Sequence, residues 1–267
     1  MIFDYVFMRY AFAAVILIAV MTPFIGNVIV LKRRSTVGDA LSHTGLAGIA
    51  IGVFAGINPV MTAVAVSICA AVAMEFFRTA FKRYSEISTA IIMSAGLGLA
   101  AVFSGLAQDS AGFNSYLFGS ILLVTLPEIA AISALALIVA LFNIIFYKPM
   151  MYITFDEEGA RLFGIKARLL NILFNILTAV VVSVAVKTVG VLLISSLIVL
   201  PSACAMQVSR GYRSNLILSI IFALLFSTAG LVIAFYAGLQ PGGTIVLTGL
   251  AVLLVTIIMS KSRKNRQ

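Results

Sequence analysis

The residues best suited to chemistry in this sequence are Asp39 and His43, which stand four positions apart in the run GDALSHTGLAG (residues 38–48). On a helix that spacing places a carboxylate and an imidazole on one face, one turn apart. Both groups bind borderline divalent metals such as zinc, manganese or iron. Because His43 is the single histidine of the chain, one copy supplies two ligands, which suits a point of transit better than a stable site.

A second interpretation of the pair stays open on spacing alone. Asp39 would stabilise the N-terminal end of a helix, where a carboxylate interacts favourably with free N–H groups, and His43 would be its hydrogen-bonded neighbour. Against this, an ionisable pair in or near an apolar helix is costly and generally faces a pathway or a partner. Two copies of the chain facing each other across a symmetry axis would supply two Asp and two His.

The opposite face of the same helix carries glycine at every fourth position: Gly48, Gly52 and Gly56. At about 100° per residue, this row lies roughly opposite the face of Asp39 and His43. Rows of small residues let a neighbouring helix approach closely within a membrane. We therefore predict that the three glycines are helix-packing positions.

The composition predicts an integral membrane protein with one domain over residues 1–267. Hydrophobic residues make up 62% of the chain and charged residues 10%, against about 45–50% and about 25% in soluble domains. Burial is limited by surface-to-volume scaling, so a soluble core could not hide this much apolar surface. Cys69 and Cys204 lie in apolar segments and lack the spacing of metal ligands.

Nine apolar stretches are about long enough to cross a bilayer as helices. We expect an all-α, polytopic transmembrane bundle with about nine spans, and eight is the alternative because the shortest stretches are marginal. The predicted spans are residues 11–31, 40–57, 59–77, 88–107, 126–147, 170–187, 189–208, 215–236 and 243–260.

The basic residues predict the orientation of these spans. If the loop after the first span is cytoplasmic, all of the 18 Lys and Arg residues except Arg9 and Lys187 fall on the cytoplasmic side. Cytoplasmic loops of membrane proteins are enriched in Lys and Arg. We therefore expect the N-terminus outside and the C-terminus inside. The net charge of +9 is explained by topology, so no nucleic-acid partner is expected.

The longest inner loop, at about residues 149–169, predicts a small helix on the cytoplasmic face. Thr154 or Asp156 would cap it and Gly164 would end it. Such a helix could dock into a cleft of a soluble partner, although an ordinary surface loop fits the same pattern. Glu75 and Glu86 flank another inner loop and are expected to be solvated.

No catalytic motif accompanies these features. The chain contains no G-x-x-x-x-G-K-[ST] phosphate loop, no G-x-S-x-G and no H-E-x-x-H sequence. Each of these motifs marks a different common type of hydrolytic site. We expect a protein that is not itself an enzyme and that hydrolyses no ATP.

Four segments resemble the permeases of ATP-binding-cassette importers for zinc, manganese and iron. They are residues 31–34 (LKRR) with 38–43 (GDALSH), 116–122 (YLFGSIL), 155–164 (FDEEGARLFG) and 190–201 (GVLLISSLIVLP). Many relatives carry proline in a His-x-x-Leu-Pro-Gly run, where this chain has Ala47. That departure concerns the kink of the helix rather than the two ligands.

The resemblance implies a type II importer-like permease in a prokaryotic plasma membrane, assembled as a homodimer with two cytoplasmic ATP-binding subunits and an extracytoplasmic metal-binding protein. It places Asp39 and His43 on the metal path, with zinc the first choice of cargo and manganese or iron next. No cofactor would be permanently bound, and ATP would be held by the partner subunits. The segment implied to contact them contains Phe155, Asp156, Glu157, Glu158, Ala160, Arg161 and Gly164.

One competing class of transporter stays open. An ion-coupled secondary transporter would need no ATPase subunit, but it would need internal repeats with broken helices and ionisable groups near the membrane midplane. The sequence contains no clear internal repeat, and its ionisable groups within the spans are sparse. An importer driven by separate ATPase subunits is therefore the preferred prediction.

Overall fold

The computed structural model describes residues 4–81, 84–107, 116–117 and 119–264, and the elements in these ranges are helices. A 3₁₀ turn, Ile121–Leu123, lies before the fifth α-helix. The α-helices are α1 (Val6–Leu31), α2 (Thr36–Ala55), α3 (Pro59–Ala80), α4 (Ser85–Leu106), α5 (Leu126–Ile145), α6 (Tyr147–Phe155), α7 (Glu157–Leu162), α8 (Ala167–Val189), α9 (Val191–Val208), α10 (Tyr212–Ala237) and α11 (Pro241–Lys264).

Each of the nine predicted spans coincides with one of these helices. In the described ranges, eight helices are long and apolar enough to cross a membrane, and α9, of 18 residues, adds a shorter apolar run at Leu193–Val208. The prediction of an all-helical, polytopic membrane protein is confirmed. By length and composition the structure gives the alternative count of eight spans, with α9 as a ninth apolar helix.

The turn between α2 and α3 shows how the local sequence sets the ends of helices. Gly56 follows α2 in the left-handed conformation, with φ of 68°, which glycine adopts without steric cost. Asn58 then caps α3, since its side-chain oxygen accepts hydrogen bonds from the backbone N–H groups of Val60 and Met61. Pro59 occupies the first helical position, where its missing N–H would have no partner in any case.

The chain divides into two compact units, each assembled from separated stretches. One unit comprises Met1–Arg33, Ile121–Ile145 and Ser196–Gln267, and in it α1 packs against α5 and α10 while α10 packs against α11. The other comprises Arg34–Ser120 and Phe146–Ser195. The boundary falls inside α9, and the expectation of one domain stays a prediction.

The second unit places α2 at its centre. α3, α4 and α8 all pack against α2, and α3 also packs against α8 and α4. Of the eight candidate spans α2 is the most buried, with 72% of its apolar window covered. A helix covered by three neighbours leaves few of its side chains accessible.

Some predictions concern residues outside the described ranges. These are the cytoplasmic placement of Lys82, Arg83 and Arg266, and Phe118 within the second family-like segment. The predicted orientation of the termini also stays a prediction, because no membrane accompanies the structure.

Candidate functional site

Asp39 and His43 are the open positions of an otherwise covered helix. From Val37 to Ala50, every residue of α2 is buried except these two, which are half-buried. The remaining sides of the helix are covered by its neighbours α3, α4 and α8. The i, i+4 spacing thus gives one narrow accessible strip that carries a carboxylate and an imidazole.

The backbone under His43 is held by α4. A Cβ atom added to Gly96 of α4 would lie 2.9 Å from the backbone nitrogen of Thr44 and 3.0 Å from the carbonyl carbon of His43. Only glycine permits so close an approach of the two helices. The hydroxyl of Thr44 donates to the carbonyl of Leu41 at 3.0 Å, so it is satisfied within α2.

The glycine face of α2 lies against α3. A Cβ added to Gly48 would be 2.5 Å from the Cα atom of Ala63, and one added to Gly52 would collide with Thr62 and come within 2.8 Å of the Cα atom of Pro59. These two glycines therefore sit where the backbones of α2 and α3 approach most closely. This is the arrangement that small-residue rows provide in membranes.

Gly56 departs from the helix-packing prediction. A Cβ added to it would meet nothing within 4 Å, because α2 has ended at Ala55 and Gly56 forms its left-handed cap. Its glycine is required by the positive φ rather than by a neighbouring helix. The every-fourth-residue spacing gave no sign of this, since it does not say where the helix stops.

One nitrogen of the His43 ring has unmet bonding capacity. The Nδ1 atom is buried and has no hydrogen-bond partner among the described residues, and the same holds for the hydroxyl oxygen of Ser67 on α3. Buried polar atoms are almost always paired, so such an atom points to a ligand, water or ion. No group of three or more His, Cys, Asp or Glu that could hold a metal occurs in the described ranges.

The predicted cytoplasmic segment forms two short helices, α6 and α7. Asp156 caps α7, because its side-chain oxygen accepts a hydrogen bond at 2.9 Å from the N–H of Gly159. Thr154, the other predicted cap, donates instead to the carbonyl of Met150 at 2.6 Å. Gly164 lies just beyond α7 with φ of 79°, a conformation typical of a residue that follows a helix end.

Large apolar side chains of this segment are left uncovered. Leu162 is 89% exposed, Phe163 is 87% exposed and Phe155 is 65% exposed. Large exposed apolar side chains outside the candidate spans are available for contact with another protein or with the membrane surface. Ala160 is buried, whereas Glu158 is exposed.

The solvation predicted for Glu75 is wrong. Its side chain is 1% exposed and pairs with Arg78, one turn further along α3. Arg78 also donates from Nη1 to both oxygens of Glu157 on α7, at 3.1 and 3.2 Å, and Arg161 bonds the same carboxylate at 2.5 Å. Glu86 is exposed as expected.

Sequence reasoning missed this ion-pair network because Glu157 stands 79 residues from Arg78. The spacings of Glu75 and Arg78 on α3 and of Glu157 and Arg161 on α7 were the local signals available. Arg34, in the turn before α2, lies in the same electrostatic environment. Its burial, and then the like charge of Arg78, lower the pKa of the Arg34 guanidinium, with attraction from Glu157 and Glu75 opposing them.

A model of the ABC 3 transport family matches residues 4–260. A "probable metal transport system membrane protein" of Treponema pallidum is 34% identical over 265 residues, which cover 98% of this chain and 99% of that protein. The "manganese import system permease protein ScaB" of Streptococcus parasanguinis is 27% identical, covering 97% and 93% of the two chains. The "high-affinity zinc uptake system membrane protein ZnuB" of Haemophilus influenzae is 28% identical, covering 93% and 95%.

A solved structure is similar to this chain over almost its whole length. A chain in the structure titled "PsaBC from Streptococcus pneumoniae in complex with Fab" superimposes with a TM-score of 0.84 and 27% identity. The match covers 96% of this chain and 92% of that chain.

Proposed function

Since this chain belongs to the ABC 3 transport family, we propose that it is the membrane permease of an importer that takes up a divalent transition metal, powered by ATP that separate subunits hydrolyse. The resemblance to metal-importer permeases, expected from four short segments, is confirmed by the family match and by relatives named for metal transport. The identity of the metal, the partners and the pathway are the proposed part.

The observation that carries the proposal is the exposure pattern of α2. Fourteen consecutive positions, 37–50, contain two that are open, and these hold Asp39 and His43. If Asp39 and His43 only stabilised the N-terminal end of α2, both side chains would not need to stay accessible on the same strip of the helix. A carboxylate and an imidazole with an unpartnered nitrogen form the beginning of a coordination shell for a metal in transit.

A second copy of the chain would complete that shell. One chain contributes two ligands, and a two-fold axis beside α2 would add two more, giving the four that zinc commonly takes. A coordination shell shared between two moving subunits can open and release the metal. A permanent structural site must instead stay closed. The ion is therefore cargo, and no permanently bound cofactor is proposed.

Zinc is the first choice of cargo, with manganese and then iron behind it. Imidazole suits zinc and iron, whereas carboxylate also suits manganese. The donor set alone therefore ranks the metals without separating them sharply. Among the relatives, ZnuB is named for zinc and ScaB for manganese.

The exposed segment from Phe155 to Gly164 is proposed to bind the ATPase subunits. Leu162 and Phe163 would supply the apolar contact, and α7 with its Asp156 cap would hold them at the surface. An extracytoplasmic binding protein would deliver the metal on the other side. Movement of the ATPase pair would then open the path alternately to each side, with the N-terminus outside and the C-terminus in the cytoplasm.

Transport by the purified assembly tests this proposal against an ion-coupled secondary transporter. The chain is tagged, purified from its native membrane with whatever subunits remain bound, and reconstituted into vesicles with zinc, manganese or iron. We expect an ATPase to co-purify and metal uptake to require ATP. Uptake by the chain alone, driven by a proton or sodium gradient and indifferent to ATP, would instead establish a secondary transporter.

A further inference from the structure

We propose that Arg78 is a positioning residue that transmits movement from the ATPase-facing segment to the helix that carries Asp39 and His43. This inference rests on the proposed function and goes beyond it, because it names the mechanical connection within one chain. Three features of the structure support it: the bonds of Arg78, the packing of α3, and the cavity beside the ion pairs.

The first step is the way in which Arg78 bridges two elements. On α3, its Nε atom donates to Glu75 at 2.8 Å and its Nη2 atom donates to the other oxygen of the same carboxylate. On α7, its Nη1 atom donates to both oxygens of Glu157. The planar guanidinium fork makes such two-sided, paired bonds, and a lysine ammonium does not.

Burial makes this bridge stiffer than an ordinary surface ion pair. The side chains of Arg78, Glu75 and Glu157 are 13%, 1% and 18% exposed. Surface pairs contribute little because water and salt screen them, whereas pairs with this little exposure are screened much less. The bond from Arg161 to Glu157 differs, since Arg161 is 55% exposed and the two residues share one short helix.

The second step is the packing of α3 against α2. Arg78 lies in the last turn of α3, and Ala63, which meets Gly48 of α2, lies 15 residues earlier, or about 22 Å along the helix axis. A helix of that length moves as a rod. A force applied at Arg78 by α7 is therefore delivered to α2 through the close backbone contact of Ala63 with Gly48.

The third step is a small cavity where the helices of the unit meet. It has a volume of about 20 Å³ and is bounded by Arg34 before α2, Glu75 and Arg78 on α3, Ser88 and Thr89 on α4, and Asn175 on α8. A space of this size holds about one water molecule. The ion pairs thus lie where α2, α3, α4 and α8 meet. A shift of Arg78 would therefore change the contacts of each of these helices.

The test compares metal transported per ATP hydrolysed in the reconstituted complex. Arg78→Lys keeps the positive charge but loses the fork, and Glu157→Gln keeps the shape but loses the charge. We expect each to lower the transport-to-hydrolysis ratio about five-fold or more, the lower end of typical coupling between sites. ATP hydrolysis and co-purification of the ATPase should persist, and the double variant should lose no more than the single variants because both break one bridge.

The control is Glu86→Gln, which removes an exposed carboxylate from the start of α4 and should leave the ratio unchanged. An unchanged ratio in both Arg78→Lys and Glu157→Gln would overturn the inference while leaving the proposed function intact. So would a loss of transport matched by an equal loss of bound ATPase, since that indicates a structural role alone. A wild-type complex without ATP-driven metal uptake would overturn the proposed function and the inference together.

Discussion

At the scale of single residues, α2 shows how a helix can be buried almost completely and still present chemistry. Gly48 and Gly52 bring α3 close on one side, Gly96 of α4 brings α4 close on another, and the strip that stays open carries Asp39 and His43. Burial of the rest fixes the position of that strip, because a helix packed on three neighbours cannot rotate freely. The proposed ligands Asp39 and His43 are therefore held in register by the packing of α2.

Replacing Gly48 by alanine tests the close approach of α2 and α3. The new methyl group would lie 2.5 Å from the Cα atom of Ala63, so we expect a loss of about 1–3 kcal/mol, the usual cost of overpacking. Thermal unfolding of the purified protein in detergent measures this loss as a lower melting temperature.

Gly98→Ala on α4 is the matched control for that substitution. It adds the same methyl group to a helical glycine that has nothing within 4 Å, and alanine is favoured over glycine in helices by about 0.5–1 kcal/mol. Its melting temperature should be unchanged or higher. Equal melting temperatures for Gly48→Ala and Gly98→Ala would show that α2 and α3 are not in close contact.

The residue-level predictions from sequence succeed where the information is local. The spacing of Asp39 and His43 gives a shared helix face directly, and the structure adds that this face is the open one. Gly56 was misassigned because its role depends on where α2 ends. Glu75 was expected to be solvated because the groups that surround it, such as Ser88 and Asn175, come from other helices. Long-range pairing leaves no trace in a single sequence.

At the scale of elements, the segment that presents Leu162 and Phe163 depends on a very short helix. α7 has six residues, and isolated helices of this length are unstable in water. Its stability comes from the Asp156 cap, from the bond between Glu157 and Arg78, and from the turn at Gly164. The position of the exposed Leu162 and Phe163 side chains therefore depends on these three contacts.

Removal of the Asp156 cap should therefore weaken the contact with the ATPase. We expect Asp156→Ala to destabilise α7 by about 0.5–2 kcal/mol, whereas Asp156→Ser keeps an oxygen for the N–H of Gly159 and should retain most of the stability. The measurement is the amount of ATPase that co-purifies with each variant. Equal recovery with Asp156→Ala and Asp156→Ser would show that the cap is irrelevant to docking.

Each of the nine predicted spans coincides in order with an observed helix because long apolar runs are easily recognised in a membrane protein. The single helix predicted for the cytoplasmic segment is instead two short helices, α6 and α7. Thr154 and Asp156 could not be separated as caps, since either type of side chain serves, and the geometry selects Asp156. The status of α9 could not be settled either, because its apolar run is close to the length limit for a span.

At the scale of the whole molecule, α9 decides the placement of the termini. Eight complete crossings put both ends of the chain on one side of the membrane, whereas nine put them on opposite sides. The distribution of Lys and Arg favours nine crossings, with the C-terminus in the cytoplasm. We therefore expect a reporter at the N-terminus to be active only outside the cell and a reporter at the C-terminus only inside. Reporters active on the same side would show that α9 does not cross.

The most direct test of the account is metal transport by an Asp39→Ala/His43→Ala double variant, reconstituted with its ATPase subunits and binding protein and supplied with zinc and ATP. Glu86→Gln serves as the control for loss of a carboxylate. We predict that the initial rate of zinc uptake falls about ten-fold or more, since even removal of groups that orient metal ligands costs about 10–100-fold, while the assembly stays intact. A double variant that is fully assembled and transports zinc at the wild-type rate would contradict the claim that these two residues lie on the metal path.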